Sequence, residues 1–396
     1  MTAGTAVRPA TGRRLVVVSG AWGAFWGTWS ALLPAVAETD SATPAMLGVV
    51  LTAVPLGAIP AMALIGRLAV GREYRALFCS VAAMAVAVLA LGSVTGLTAL
   101  AGTLFAVGAT SGAVDVCLNA ATARHERETS APHFQIVHAA FPVAVIAAAP
   151  ITGLARQLGA GTHVVLVVCA VLLFLVGLPL LRTGRRPVTA GDGRPAAGGA
   201  RRRTLWLLGA GLGALGGCVL VVENAVEQWS VLVLEDLRGA APALASTAPA
   251  VYMAAMTASR VAVRKMPGLR LRRLIVIAAI GGAAGIVAGS LSPSVPVSLA
   301  GFAIAGLAFG PVVPALLSHA GTRDSTGYLV SIASAVSYTA FLVSPVFVGT
   351  LTRWVSLPVA MASLAVMAVP LLVGAFAHGD RAEDRAPAER PESMPR

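Results

Sequence analysis

The sequence predicts an all-α integral membrane protein whose twelve transmembrane helices form two pseudo-symmetric six-helix bundles. Three observations carry this. Hydrophobic residues make up 57% and charged residues 12% of the 396, whereas soluble domains are roughly 25% charged. The basic residues alternate from loop to loop as they do in multi-pass proteins. The two halves of the chain also repeat each other.

At about 20 apolar residues per span, the length accommodates about twelve helices with their connections. The first apolar run continues into a full span without a small-residue cleavage site, so it is expected to be retained rather than removed as a signal peptide. A tail, 1–13, leads into spans at 14–38 and 46–68, joined by an acidic, Pro-containing turn. Spans three to six fall at 76–91, 97–123, 133–155 and 162–181, completing a first bundle over 14–181. Residues 182–203, rich in Gly, Ala, Pro and Arg, have the composition of a flexible linker. Spans seven to twelve follow at 204–232, 242–263, 274–291, 297–320, 328–349 and 357–377, a second bundle over 204–377. The charged, Pro-rich tail 378–396 is expected to be disordered.

Of the 29 Lys and Arg residues, all but Arg156, Arg238 and Arg353 fall in the two tails, in the loops after spans two, four, six, eight and ten, or on the span ends that border them. The positive-inside rule then places both termini and the linker in the cytoplasm, which requires an even number of spans. The same clustering explains the net charge of +12 without nucleic acid, since no soluble basic face is present. Cys79, Cys117, Cys169 and Cys218 lie inside apolar runs without metal spacing and read as packing residues. No nucleophile and base pair, phosphate loop or metal motif points to an enzyme, a metal or a cofactor.

The internal repeat pairs four short stretches in the same order. Trp29-Ser-Ala-Leu recurs as Trp229-Ser-Val-Leu, and Gly66-Arg-Leu-Ala-Val as Ser259-Arg-Val-Ala-Val. Gly108 and Gly112 recur as Gly306 and Gly310, and Pro150-Ile-Thr-Gly153 as Pro345-Val-Phe-Val-Gly349. Two six-helix halves in a parallel repeat are the organisation of a major facilitator transporter, with the solute cavity between them near the midplane.

Within that superfamily the chain resembles the fucose-permease-like branch of bacterial permeases. The resemblance is carried by Gly112-Ala-Val-Asp115-Val-Cys-Leu-Asn119, by Val137-His138-Ala-Ala-Phe141 and by Glu223-Asn-Ala-Val-Glu227-Gln-Trp-Ser230. It implies alternating access and a small polar solute, often a sugar, moved with protons across the plasma membrane by a protein expected to be a monomer. A proton-driven exporter of drugs or metabolites and a non-transporting receptor or scaffold are the alternative functions. The resemblance is incomplete in two places. The superfamily's loop motif after span two carries an Asp that Gly66-Arg-Leu-Ala-Val-Gly-Arg72 lacks, and span one holds no acid.

Asp115, Glu223 and Glu227 are the acids well inside the spans. A charge at that depth costs about 3 kcal/mol on insertion scales and persists facing protein or a wet cavity, which makes these residues proton-coupling candidates. Glu223 and Glu227, four apart, share a helical face, and two carboxylates so placed do not both ionise cheaply. Glu223 lies roughly 28 Å along the helix from residue 204, in the outer part of the membrane, and Glu227 reads either as functional or as a solvated rim residue. Asp115 and His138 reach similar depth on the hairpin of spans four and five, as a proton relay or as a structural clamp. Asn119 and Gln135 lie one turn from each.

Trp22, Trp26 and Trp29 form a stripe on span one, and Trp229 follows the acids on span seven. Trp26, Trp29 and Trp229 are candidates for packing against a sugar ring. Asn224, Gln228, Tyr252 and Tyr338 are candidates for neutral hydrogen bonds to the solute.

Overall fold

The structure, a computed structural model, describes residues 7–129, 133–182, 199–266, 269–324 and 327–383. Most of the expected linker and the end of the C-terminal tail lie outside the described residues. Twelve helices are laid out in the predicted order. They are α1 (Val7–Thr39), α2 (Pro44–Leu68), α3 (Glu73–Leu91), α4 (Leu97–Thr129), α5 (Phe134–Gln157) and α6 (Thr162–Leu181). The second half supplies α7 (Gly199–Glu235), α8 (Thr247–Arg264), α9 (Leu271–Leu291), α10 (Val295–Arg323), α11 (Tyr328–Leu351) and α12 (Leu357–Phe376).

Eleven of these are long and apolar enough to cross a membrane by themselves. The exception is α8, which is 18 residues long but carries Thr257, Ser259, Arg260 and Arg264 on its second half. Its buried residues Tyr252, Met256 and Ser259 repeat at helical spacing. A span that lines a polar cavity satisfies its side chains inside the protein, so its hydropathy falls below that of a lipid-facing helix.

The packing obeys the sequence repeat. In the first bundle α1 packs on α5, α2 and α3 on α4, and α3 on α6; in the second α7 packs on α11, α8 and α9 on α10, and α9 on α12. Each contact in one bundle has its counterpart in the other. The bundles meet through α2 with α11, α5 with α8 and α1 with α7.

The repeated glycines lie at equivalent crossings. A Cβ on Gly108 would collide with the backbone of Val54 on α2, and one on Gly306 with the carbonyl of Tyr252 on α8. Close approach of this kind gives helices van der Waals contact in a bilayer, where no hydrophobic effect drives them together.

The acid missing from the loop after α2 is supplied by the next helix. Glu73 Oε1 accepts the Gly71 N–H at 2.9 Å, and its Oε2 accepts from Arg124 of α4 at 2.8 Å. Arg124 also donates to Glu128 at 2.9 Å and lies over the Tyr74 ring. The loop is thus tied to α4 from the first turn of α3.

Gly108→Leu is expected to separate α2 from α4 and to lower stability by about 1–3 kcal/mol. The check is loss of monodisperse protein after heating in detergent. Gly102→Leu, on the same helix where a Cβ would meet no atom within 4 Å, is expected to behave as the parent.

Candidate functional site

On α4, Ser111, Asp115 and Asn119 occupy successive turns of one face. Asp115 is 8% exposed, and its Oδ1 accepts from Asn119 Nδ2 at 2.9 Å. The Tyr338 side chain of α11 lies near this carboxyl, so residues of both bundles come together here. Tyr338 nevertheless keeps 41% of its surface exposed. α11 is interrupted at this point: one helical segment ends at Tyr338, the next begins at Ala340, and Thr339 N–H bonds back three residues to Val336. Trp22 and Trp26 of α1 both donate their indole N–H to Ser111 Oγ, at 2.8 and 3.3 Å. Phe141 edges against Trp22 and Phe25 against Trp26, fixing both rings.

The second bundle supplies a facing cluster. Glu223 and Glu227 lie partly buried on one face of α7, and Arg260 of α8 acts electrostatically on Glu223. The Arg260 guanidinium is held by the Gly310 carbonyl at 2.8 Å and by Met256 Sδ at 3.2 Å. Tyr252, fully buried, feels Glu223, Glu227 and Arg260. Gln228 donates to Asn224 Oδ1 at 3.2 Å. Several buried atoms here have no hydrogen-bond partner: Glu223 Oε2, Gln228 Oε1, the Tyr252 hydroxyl and the indole nitrogens of Trp29 and Trp229. Each such group costs about 1–3 kcal/mol.

The bundles are closed at the end opposite the chain termini. Gly48 of α2 lies directly on Gly349 of α11, and Gly153 of α5 lies on Pro242 and Ser246 at the start of α8. The repeated Pro–Gly stretches therefore sit in the two equivalent seals. Ser30 Oγ donates to the Glu227 carbonyl, joining α1 to α7. Arg156 of α5 makes a bidentate pair with Glu235 of α7 at 2.8 and 2.7 Å, and its first nitrogen also reaches the Ala31 carbonyl. One residue past α7, burial pushes the Asp236 carboxyl above its usual range, the Glu235 charge adds to this, and Arg156 opposes it. At the end that carries the termini, Gln135 and His138 are exposed, and Gln135 accepts from Arg264 of α8 at 3.2 Å.

Several sequence-derived placements change. Asp115 accepts from Asn119 on its own helix, whereas His138 stacks on Phe134 with the ring planes 9° apart; the hairpin pairing expected between them is not formed. Glu227 is not at a rim, because α7 continues for two further turns to Glu235. Trp29 and Trp229 are 2% and 0% exposed, inside the closed seal beside Ser30, and the ring that joins Trp26 near Asp115 is Trp22. Ser111, Arg260 and the Arg156–Glu235 pair are groups that sequence reasoning does not single out. Arg260 carries a signal, being an arginine within a span, but it falls among the loop charges when basic residues are counted by connection.

Comparison with known proteins agrees with this architecture. The family profile described as Major Facilitator Superfamily matches residues 15–324. An uncharacterized MFS-type transporter of Yersinia pestis is 25% identical over 359 residues, 88% of this chain and 91% of that protein. Membrane protein MosC of Rhizobium meliloti is 25% identical over 377 residues, 91% of this chain and 89% of that protein. Among solved structures, a bacterial homologue of the human lysosomal transporter Spinster, inward-facing and unoccupied, superposes with a TM-score of 0.76 at 13% identity, covering 96% of this chain and 99% of that one. The nucleoside transporter NupG gives 0.71 at 13% identity over 93% of this chain and 98% of that one.

Removing one partner of a desolvated ion pair costs about 3–5 kcal/mol. Arg156→Gln is therefore expected to loosen the seal, and Ser246→Cys in a cysteine-free background reports it. That cysteine, buried in the parent, is expected to react faster with an impermeant maleimide from the sealed side in the Arg156→Gln variant, and the charge swap Arg156→Glu with Glu235→Arg is expected to restore slow labelling.

Proposed function

The chain belongs to the major facilitator superfamily, and from that premise we propose that it is a proton-coupled secondary transporter of a small, polar, sugar-like solute. The observation that carries the proposal is a buried acid at depth in each bundle: Asp115 on α4, accepting from Asn119, and Glu223 on α7, with a buried oxygen that has no hydrogen-bond partner. A carboxyl that gains or loses a proton there changes the interaction between the bundles, and rocking of the bundles changes which side of the membrane can exchange the proton.

The solute class follows from the neutral groups nearby. Asn119, Asn224, Gln228 and Tyr252 present amides and a hydroxyl, and Trp22 and Trp26 present flat apolar faces of the kind sugar rings pack against. His138 and Gln135 are exposed at the end away from the Arg156–Glu235 seal. With the termini on the cytoplasmic side of the plasma membrane, as the basic loops favour, that seal faces out.

Glu223 is the coupling acid in this reading. Its Oε2 is buried without a hydrogen-bond partner, on a span that is otherwise largely apolar, and a perturbed titratable group of this kind is a candidate proton carrier. Glu227, one turn further on, adds a like charge that restricts the pair to one ionised member at a time.

Pulses of D-glucose, D-galactose or L-fucose to de-energised cells carrying the protein are expected to raise external pH as protons enter with the solute. Glu223→Gln is expected to abolish the pH rise and to leave solute exchange in place, because exchange requires no net proton movement. Alkalinisation of parental size in that variant removes Glu223 from the coupling.

A further inference from the structure

Midway along α10 stands a carbonyl that its own helix does not bond. Gly310 lies at the break between the two helical segments of α10, which end at Phe309 and begin at Val312. Four residues on is Pro314, which has no N–H to give the Gly310 carbonyl. Arg260 of α8 supplies the donor instead, from Nε at 2.8 Å. Its Nη2 donates to Met256 Sδ at 3.2 Å, one turn back along α8, so the guanidinium leans away from the end of the helix that carries Arg264. A guanidinium has five N–H groups; these two bonds leave three, on Nη1 and Nη2.

Those three are free to meet a ligand. Among the described residues no carboxylate forms an ion pair with Arg260. Arg14 and Arg238 each enclose an unpartnered nitrogen in protein, whereas Arg260 is half-buried and encloses none. Met256, Arg260 and Arg264 follow one another at four-residue spacing on one stripe of α8. Arg264 donates to Gln135 of α5 at 3.2 Å, so the stripe is turned to the first bundle and not to lipid. Arg264 likewise pairs with no carboxylate among the described residues. Two guanidiniums without acids thus lead inward from the end that carries the termini. A planar fork of N–H groups matches the two oxygens of a carboxylate, and the gain exceeds that of a neutral hydroxyl on the same donors. Two turns before Arg260 on α8, the buried Tyr252 hydroxyl has no hydrogen-bond partner, and neither has Gln228 Oε1 on α7; these are groups for the hydroxyls of the same molecule.

We propose that the transported solute is a sugar acid whose carboxylate docks on the free N–H groups of Arg260, with Arg264 drawing it in. The inference rests on the transport reading above and narrows its sugar-like solute to a monoanion. Glu223 stands in the field of the same guanidinium without forming an ion pair with it. A solute carboxylate and a charge on Glu223 therefore compete for one cation. A proton on Glu223 removes the competition, so each cargo favours the loading of the other, and a monoanion moved with one proton carries no net charge across the membrane.

The test uses the full chain in lipid nanodiscs with D-glucuronate, D-galacturonate and D-gluconate. D-glucose and D-glucuronamide, in which a neutral amide replaces the carboxylate, are the comparisons. At least one acid is expected to raise the melting temperature and, by calorimetry, to bind roughly ten- to a hundredfold more tightly than either neutral sugar, the worth of one charged hydrogen-bonded contact. Arg260→Gln is expected to erase this preference. Arg260→Lys, which keeps the charge without the fork, is expected to melt as the parent does and to retain only part of the preference, and Asp115→Asn to leave it intact. Equal binding of acids and neutral sugars, no response to any of the three acids, or a preference undiminished in Arg260→Gln or Arg260→Lys overturns the proposal. Binding is read without proton movement, so neutral sugars that carry protons inward, with no preference for the acids, overturn it while leaving the transport reading standing.

Discussion

The bilayer requires that polar groups at depth find their partners inside the protein, and this requirement organises the molecule. Asp115 meets it with Asn119, Arg260 with Gly310 and Met256, and the two tryptophans with Ser111. The Arg260–Gly310 and tryptophan–Ser111 bonds run between helices. Glu223 Oε2 and Gln228 Oε1 on α7 are left without partners, and a changing conformation or an arriving solute can supply what is missing there. Polar satisfaction and function are thus the same problem at this depth.

The seal is built from two kinds of contact. Glycine on glycine, at Gly48 and Gly349, and glycine on a helix start, at Gly153 and Ser246, let backbones touch over small areas. Such contacts give close van der Waals packing without interdigitated side chains, so they separate without repacking a core. The Arg156–Glu235 pair adds direction, since a bidentate fork holds in one geometry. At the opposite end α5 and α8 still meet through a side-chain bond, Gln135 accepting from Arg264 at 3.2 Å.

Most of the architecture is legible in the chain. Apolar runs of spanning length, basic loops on alternate connections and four ordered repeats lead to the layout of α1 to α12, because span length and charge placement follow from bilayer thickness and insertion. The span at α8 is recognisable in spite of its polarity because the count has to be even. Within the site, the acids on α4 and α7 stand out, since a carboxylate among apolar residues is visible from composition alone. The partners of those acids do not. Depth along a helix brings Asp115 and His138 to a similar level, but depth does not say which way a side chain points. His138 turns to Phe134, and Asp115 is bonded by Asn119 of its own helix. Glu73 substitutes for the missing loop acid in the same way, through a contact with Arg124 that spacing along the chain does not encode.

By itself the sequence determined the solvent in which the protein folds, the number and order of its helices, the duplication of its halves and the acids that sit at depth, since these depend on composition, period and charge along one strand of residues. Only the tertiary structure decided that Trp22 rather than Trp29 stands near Asp115, that Arg260 serves Glu223, and that the Pro–Gly repeats lie in seals on one side. Those outcomes depend on how twelve helices rotate about their own axes when packed, and a rotation of one residue, about 100°, moves a side chain from the cavity to the seal or the lipid.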